Sequence, residues 1–351
     1  MAKEGEDFLK EYVIAVDAMG GDNAPEAIVS GAMEALRQFP DIRLMIYGPR
    51  EPICALTAGA ADVAERFCVI DAPDVIGMHE SPTMAVRSKK NSSLVQAMLS
   101  VKEGVAQAVV SAGSTGAIVA GGILRMGRIQ GIERPALAPL VPGKNKQYLL
   151  LDVGATPDCQ PRYLEQFGLM GAIYMKQVLG ISDPGVYLAN IGTEEEKGDQ
   201  RTKDAYQLMK AQSAYRFGGN VEAREMPTGD ADVVVCDGFV GNVILKYTEG
   251  LASALFGQIK AALNGSLRGK VGGLLVKPVL KQFKDSLSAD EHGGAPLLGC
   301  KGAIIKAHGN SNQTAIKNAI GQARKMVAGD VAALIEQRLG ALSTKGQSDG
   351  E

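Results

Sequence analysis

The sequence predicts an α/β protein built on a mostly parallel sheet with helices on both faces. Three observations carry this. Short apolar, β-branched runs alternate along the chain with segments of helical periodicity. The 43 glycines recur at the ends of those runs, where the backbone must turn or approach closely. The stretch 232–250, DVVVCDGFVGNVILKYTEG, contains the whole repeating unit: a buried strand over 233–236, a glycine turn over 238–241, and a helix predicted over 243–263. Ligands of such sheets gather beyond the carboxyl ends of the strands.

In chain order, a first strand at 12–16 runs into a turn with Gly20 and Gly21 between Asp17 and Asp22, and Pro25 suits the opening of the next helix. That helix ends near Phe39. A strand at 43–47, a helix ending near Arg66 and a strand at 67–71 follow. Residues 72–91 are rich in Pro, Gly, Ser and basic side chains, which predicts a long loop, either covering a cleft or simply solvated. A helix over 93–102 and a strand over 106–110 lead into Ser111, Gly113, Ser114, Thr115 and Gly116, then a helix over 118–128. This repeats the opening geometry. Further strands are predicted at 136–140, 147–151, 185–189 and 303–307. Flexible tails are expected at 1–11 and 343–351, around one large α/β/α domain over 12–342.

Composition excludes several classes. A hydrophobic fraction of 46% and a charged fraction of 22% describe a globular chain, and a formal charge of -2 gives no global pull toward nucleic acid. The five cysteines are scattered and there are three histidines, so neither a disulfide framework nor a clustered metal site is expected. Residues 1–11 lack an apolar signal core and no run of about twenty apolar residues occurs, as expected of a soluble intracellular chain. No two glycines are separated by a single residue, which removes the dinucleotide fingerprint. Neither Gly-Lys pair continues to Ser or Thr, and there is no G-x-S-x-G elbow.

What remains is a set of polar, glycine-framed strand ends. Asn242 and Lys246 stand four apart on the predicted helix, so they share a face that can look at an anion near its amino end; equally, they fit an N-cap and a solvated lysine. Lys197 lies in a glycine-bounded turn after a strand, behind Glu194 to Glu196. That run reads either as a site or as a surface helix start. Glycine amides, hydroxyls, lysines and a carboxamide, without an obvious nucleophile, suit direct transfer between bound substrates; phosphate fits such a site, and were it the attacking group the protein would only orient reactants and stabilise an oxyanion.

The strings DAMGGDNAP, SAGSTGA, LLLDVGA, NIGTEEEKGD, CDGFVGNVILK, GGAPLLGCKG and IKAHG, in this order and spanning about 13–320, resemble the bacterial phosphate acyltransferases of phospholipid synthesis. The resemblance implies a three-layer α/β/α sandwich like phosphate acetyltransferases and isopropylmalate dehydrogenases, and a homodimer. It implies a cofactor-free enzyme that moves a long acyl chain from acyl carrier protein to inorganic phosphate. The acyl phosphate then serves the membrane glycerol-3-phosphate acyltransferase, which places the protein in the cytoplasm, peripherally on the inner face of the cell membrane. Carried over by motif, the essential residues are Lys197 and Asn242. Asp17, Gly20, Gly21, Asp22, Ser111, Gly113, Ser114, Thr115, Gly116, Lys246 and His308 are expected to contact substrate or phosphate, although the glycines equally serve turns, Asp17 and Asp22 equally cap helices, and His308 more readily fixes its own loop. The chain departs from the family pattern after Ala155, where Thr156-Pro157 replaces Asn and a small apolar residue; position 156 offers a hydroxyl instead of an amide.

From Lys260 through Lys284 there are six basic residues and no acidic one. Lys270, Lys277 and Lys281 flank Leu274 and Leu275, which predicts a basic amphipathic tip at about 255–290 that meets a membrane, an acidic carrier or a second copy. Two other functions fit: an enzyme using acyl-coenzyme A, and a non-catalytic membrane scaffold.

Overall fold

The computed structural model describes residues 11–286 and 293–348. Of the tails expected at 1–11 and 343–351, residues 1–10 and 349–351 lie outside the described residues, as does 287–292 of the expected tip. The chain divides into two compact units: unit 1 takes Met1–Gly127 and Cys300–Asp330, and unit 2 takes Arg128–Gly299 and Val331–Glu351.

Unit 1 begins with β1 (Tyr12–Asp17), α1 (Glu26–Gln38), β2 (Ile42–Gly48), α2 (Arg50–Thr57), β3 (Phe67–Asp71), α3 (Pro82–Ser88), α4 (Ser93–Lys102), β4 (Ala108–Ser111) and α5 (Thr115–Gly121). In unit 2 follow β5 (Ala136–Leu137), β6 (Leu140–Pro142), β7 (Gln147–Leu151), α6 (Pro161–Leu179), β8 (Gly185–Asn190), α7 (Gln200–Ala211), β9 (Arg216–Glu222), β10 (Val233–Val235), α8 (Gly238–Asn264), α9 (Leu267–Ser286) and β11 (Ala295–Leu298). The chain then supplies β12 (Ala303–Lys306) and α10 (Gln313–Ala328) to unit 1, and α11 (Val331–Ser348) to unit 2.

Within unit 1 the strand order is β3-β2-β1-β4-β12, every neighbour parallel. Ile14, Ala15 and Val16 of β1 are wholly buried, as residues covered on both faces must be. Helix α1 buries Ile28, Val29, Ala32 and Leu36 along one stripe. Its Gly31 lets α10 come close, because a Cβ there would sit 2.5 Å from the Gln313 carbonyl. Arg324 of α10 grips Asp41 through both carboxylate oxygens, and the ion pair holds that carboxyl below the usual range.

Unit 2 has the order β6-β7-β10-β8-β9, with β10 parallel to both β7 and β8, and β8 parallel to β9. β6 is antiparallel to β7, and β11 pairs antiparallel with β5. Val233, Val234 and Val235 are fully buried at the centre. Helix α6 opens on Pro161, closes on left-handed Gly180, and buries Phe167 and Tyr174 against the sheet. The mostly parallel α/β class is therefore what folds.

Local corrections have physical causes. Residues 72–91 are not all loop, because Pro82 opens α3, whose Ala85 and Val86 are buried. The helix expected at 118–128 starts earlier, at Thr115, and loosens into a π turn over 122–126. The strand expected at 136–140 breaks into β5 and β6. Strand β9 carries Gly218 and Gly219 in mid-run, which hid it from a pattern reading. The Tyr187 ring fills the space where a side chain at 218 would go, 2.2 Å from its ideal Cβ. Residues 343–348, expected as a frayed tail, continue α11. Among the described residues no helix is long and apolar enough to cross a membrane.

Candidate active site

The unit 2 rim is built where three parallel strands end side by side. β7 ends in the Asp152 to Thr156 turn, β8 in the loop 190–199, and β10 in Cys236-Asp237 and then α8. Because β10 lies between β7 and β8, the Lys197 loop and the Asn242 helix emerge from adjacent strands on the same edge.

Helix α8 starts at Gly238, well over a turn before the expected Val243, because Asp237 caps it: its Oδ1 accepts the Val240 N–H at 2.8 Å. Asn242 is therefore no cap. It sits on the second turn, exposed, with its carboxamide free to face a ligand. Two glycines let this helix enter tightly. A Cβ at 238 would lie 2.7 Å from Asp152 Oδ2, and one at 241 would lie 1.8 Å from the Asp152 carbonyl oxygen. Gly154, at φ +122°, adopts the left-handed region and passes beside Asn242. Lys246, expected to share the Asn242 face, pairs with Glu249 at 2.8 Å.

Below this turn lies Asp152, 0% exposed, accepting N–H groups from Leu137 (2.7 Å), Ala155 (3.2 Å) and Thr156 (2.6 Å). Burial pushes its carboxyl up to about 6 in spite of these donors. Thr156 spends its hydroxyl on the Pro135 carbonyl, so the departure from Asn at this position supports the turn beneath the rim. Burial also raises the thiols of Cys159, to about 12, and Cys236, which makes both inert packing groups.

Lys197 is exposed, in a turn ahead of α7, and forms no ion pair among the described residues. Of the acids before it, Glu195 is taken by Lys210. The loop is fixed from its ends: Asn190 Nδ2 donates to the Lys197 carbonyl at 3.1 Å, and Lys197 N–H donates to Glu194 O at 3.2 Å. Gly192 is buried under the lysine stem, where a Cβ would come within 2.7 Å of Lys197 Cγ.

The remaining predicted residues belong to unit 1. Asp17, at the end of β1, receives the Ser111 hydroxyl at 2.6 Å, and Ser111 Oγ in turn accepts the Gly113 N–H at 3.0 Å. Burial raises the Asp17 carboxyl, partly offset by hydrogen bonds from Ser111, Ser93 and backbone amides. Gly20 and Gly21 are close-approach positions, a Cβ meeting Gly113 N at 2.6 Å and Gly309 O at 2.8 Å respectively. Asp22 N–H donates to the Gly309 carbonyl, and His308 Nδ1 pairs with Asn310 Oδ1 at 2.6 Å within its own loop. Ser114 and Thr115 open α5, and Gly116 receives Pro82, 2.6 Å from its ideal Cβ. Ile76, from the segment before α3, lines a void of only about 10 Å³ together with Asp17, Gly20, Gly113 and Ser114.

The tip residues lie on the α8–α9 pair of unit 2. Leu274 is 73% and Leu275 77% exposed, beside exposed Lys270, Lys277 and Lys281. Helix α8 adds Phe239, Val243, Tyr247, Leu251, Leu255 and Ile259, all exposed and each four residues from the last.

Sequence reasoning missed Arg201, whose guanidinium reaches Asp237 at 2.8 Å. No local pattern marks it. The cap Asp237 was missed too, since the cap was sought at Asn242; its signal is an acid three residues ahead of the amide it holds.

Residues 12–334 match the family described as fatty acid synthesis protein. A phosphate acyltransferase of Clostridium acetobutylicum is 53% identical over 311 residues, 89% of this chain and 94% of that protein. One from Clostridium perfringens is 48% identical over 326 residues, covering 93% and 96%. Among solved structures, the EutD phosphotransacetylase of Staphylococcus aureus matches with a TM-score of 0.61 at 14% identity, covering 90% of this chain and 95% of that one. A phosphotransacetylase from Streptococcus pyogenes matches at 0.60 and 16%, covering 90% and 94%. These last likenesses are of fold.

Proposed function

The chain belongs to the fatty acid synthesis protein family and is an acyltransferase, and from that premise we propose that it moves a long-chain fatty acyl group from acyl carrier protein to inorganic phosphate. A phosphate oxygen attacks the thioester carbonyl carbon, the carbonyl becomes a tetrahedral oxyanion, and collapse breaks the carbon–sulfur bond. Acyl phosphate forms and the carrier leaves as thiolate, which takes a proton from solvent. Lys197 neutralises the phosphate or polarises the carbonyl, and Asn242 donates an N–H to the oxyanion. No covalent enzyme intermediate is required. One observation carries the reading: Lys197, without an ion-pair partner among the described residues, and exposed Asn242 emerge from the ends of neighbouring parallel strands.

Residues 12–342 act as the catalytic domain in this proposal. Asp17, Ser111 and the glycines beside them shape the unit 1 rim, where Ser114, Thr115, Asp22 and His308 are further substrate contacts; Lys246 is a further substrate contact on α8 of unit 2. The apolar stripe of α8 supports self-association as a homodimer, and Leu274 and Leu275 among Lys270, Lys277 and Lys281 support peripheral binding to the inner face of the cell membrane. There the product reaches the membrane glycerol-3-phosphate acyltransferase.

The test is donor competition. Purified protein with phosphate and equal concentrations of acyl-carrier and acyl-coenzyme A thioesters should yield acyl phosphate, trapped as hydroxamate, chiefly from the carrier. Preference for coenzyme A would replace the donor, and full biological function in a Lys197→Ala variant would leave only a scaffold.

A further inference from the structure

Arg201 stands at the start of α7, four residues after Lys197. Its Nη2 lies 2.8 Å from Asp237 Oδ2 and 3.4 Å from Asp199 Oδ2. Both carboxylates are helix caps. Asp199 caps α7 by accepting the Thr202 N–H at 2.8 Å, with the Thr202 hydroxyl at 2.6 Å; Asp237 caps α8 through Val240. One guanidinium nitrogen therefore joins the cap that follows the Lys197 loop to the cap that precedes Asn242.

The join is rigid where it matters. The Asp237 side chain is only 6% exposed and that of Arg201 29%, so the contact is shielded from water and salt far more than a surface pair. Asp237 serves the α8 amide with one oxygen and Arg201 with the other, so it cannot turn toward one without releasing the other. The near end is held as well: hydrogen-bonded Thr202 ties Asp199 to α7, and Asn190 ties the Lys197 carbonyl to the end of β8. Adjacent strands bring the two loops to one edge. They do not set the remaining distance between side chains that lie beyond the strand ends, and that is the distance the guanidinium spans.

We propose that Arg201 is a positioning residue, which sets the separation of Lys197 and Asn242 by clamping the two helix caps together. This rests on the reading of those two residues as the catalytic pair. A displacement near 1 Å at a reacting centre costs about a hundredfold in rate. Arg201→Ala frees the caps and strands a buried carboxylate, while Arg201→Lys keeps the charge but not the length and geometry that place Nη2 between the two caps.

The experiment combines rates with hydrogen exchange. In Arg201→Ala, kcat for acyl phosphate formation should fall by about thirtyfold or more, with Arg201→Lys intermediate and millimolar guanidinium ion restoring part of the loss. In an Asn242→Ala background the same change should cost less than about threefold, because there is no longer a pair to align. Amides of residues 190–199 should exchange faster in both Arg201 variants. Multiplicative effects with Asn242→Ala, or kcat within about twofold of wild type, would overturn the proposal. If Arg201→Ala does not fold, Arg201→Lys carries the same measurements. Should wild-type protein make no acyl phosphate, the functional reading fails, and unchanged exchange over 190–199 in the variants would separately refute the clamp.

Discussion

Replacing Gly241 with alanine tests the placement of Asn242 most directly. A Cβ at 241 would stand 1.8 Å from the Asp152 carbonyl oxygen and 2.8 Å from Cys236 Sγ, so parts must move by about 1.2 Å to restore even a 3.0 Å contact. The Asp152 side of that contact is pinned, since its N–H donates to the Cys236 carbonyl at 2.9 Å and its carboxylate is held by three backbone amides. The first turn of α8 must therefore retreat, and Asn242 is the next residue along it. Overpacking of this kind costs about 1–3 kcal/mol, offset by up to about 1 kcal/mol from the better helix propensity of alanine. The expected outcome is a lower Tm by calorimetry and a kcat down by about a hundredfold, read as hydroxamate-trapped acyl phosphate. Gly250→Ala is the control, on the same helix with nothing within 4 Å of its Cβ. It should keep kcat and gain a little stability. Wild-type Tm and kcat in Gly241→Ala would refute the close entry of α8; a lowered Tm with intact kcat would remove Asn242 from the chemistry.

Asn242→Ala should lower kcat by about a hundredfold, the scale of one oxyanion donor, with Tm unchanged because the side chain is exposed; a loss under about tenfold would speak against the role. Asp152 titrates at about 6 in the fold, against about 4 for an unfolded aspartate, so its contribution to stability is full below pH 4 and is lost as pH rises through 6, at no more than about 1.4 kcal/mol per pH unit. The stability of wild type relative to Asp152→Asn should therefore fall across pH 4–6 in denaturant titrations, and a flat difference would refute the raised carboxyl. Leu274→Glu with Leu275→Glu should abolish sedimentation with anionic vesicles while leaving turnover of soluble substrate; unchanged vesicle binding would end the membrane proposal.

Much of the fold could be read because burial writes itself locally. The run at 147–151 and the helix at 93–102 match the folded elements to the residue, since each buries a clean apolar pattern ended by polar residues; the run at 67–71 also matches, although as an edge strand it buries no residue. Strand β9 could not be read so, because what makes Gly218 a strand residue is a tyrosine from β8 lying over it. The start of α8 was misplaced for a related reason. Glycines at 238 and 241 look like a turn until the Asp152 backbone is packed against them, and then only glycine fits a helix there.

By itself the sequence determined the α/β class, the polar glycine-framed ends of the strands, and, through the ordered motifs, Lys197 and Asn242 as the residues to follow. Tertiary structure alone decided that β8 and β10 are neighbours and that Arg201 reaches Asp237 across 36 positions. The reason is range. Periodicity and capping act within a few residues, whereas strand order and a shielded ion pair arise only when distant segments compete for the same core.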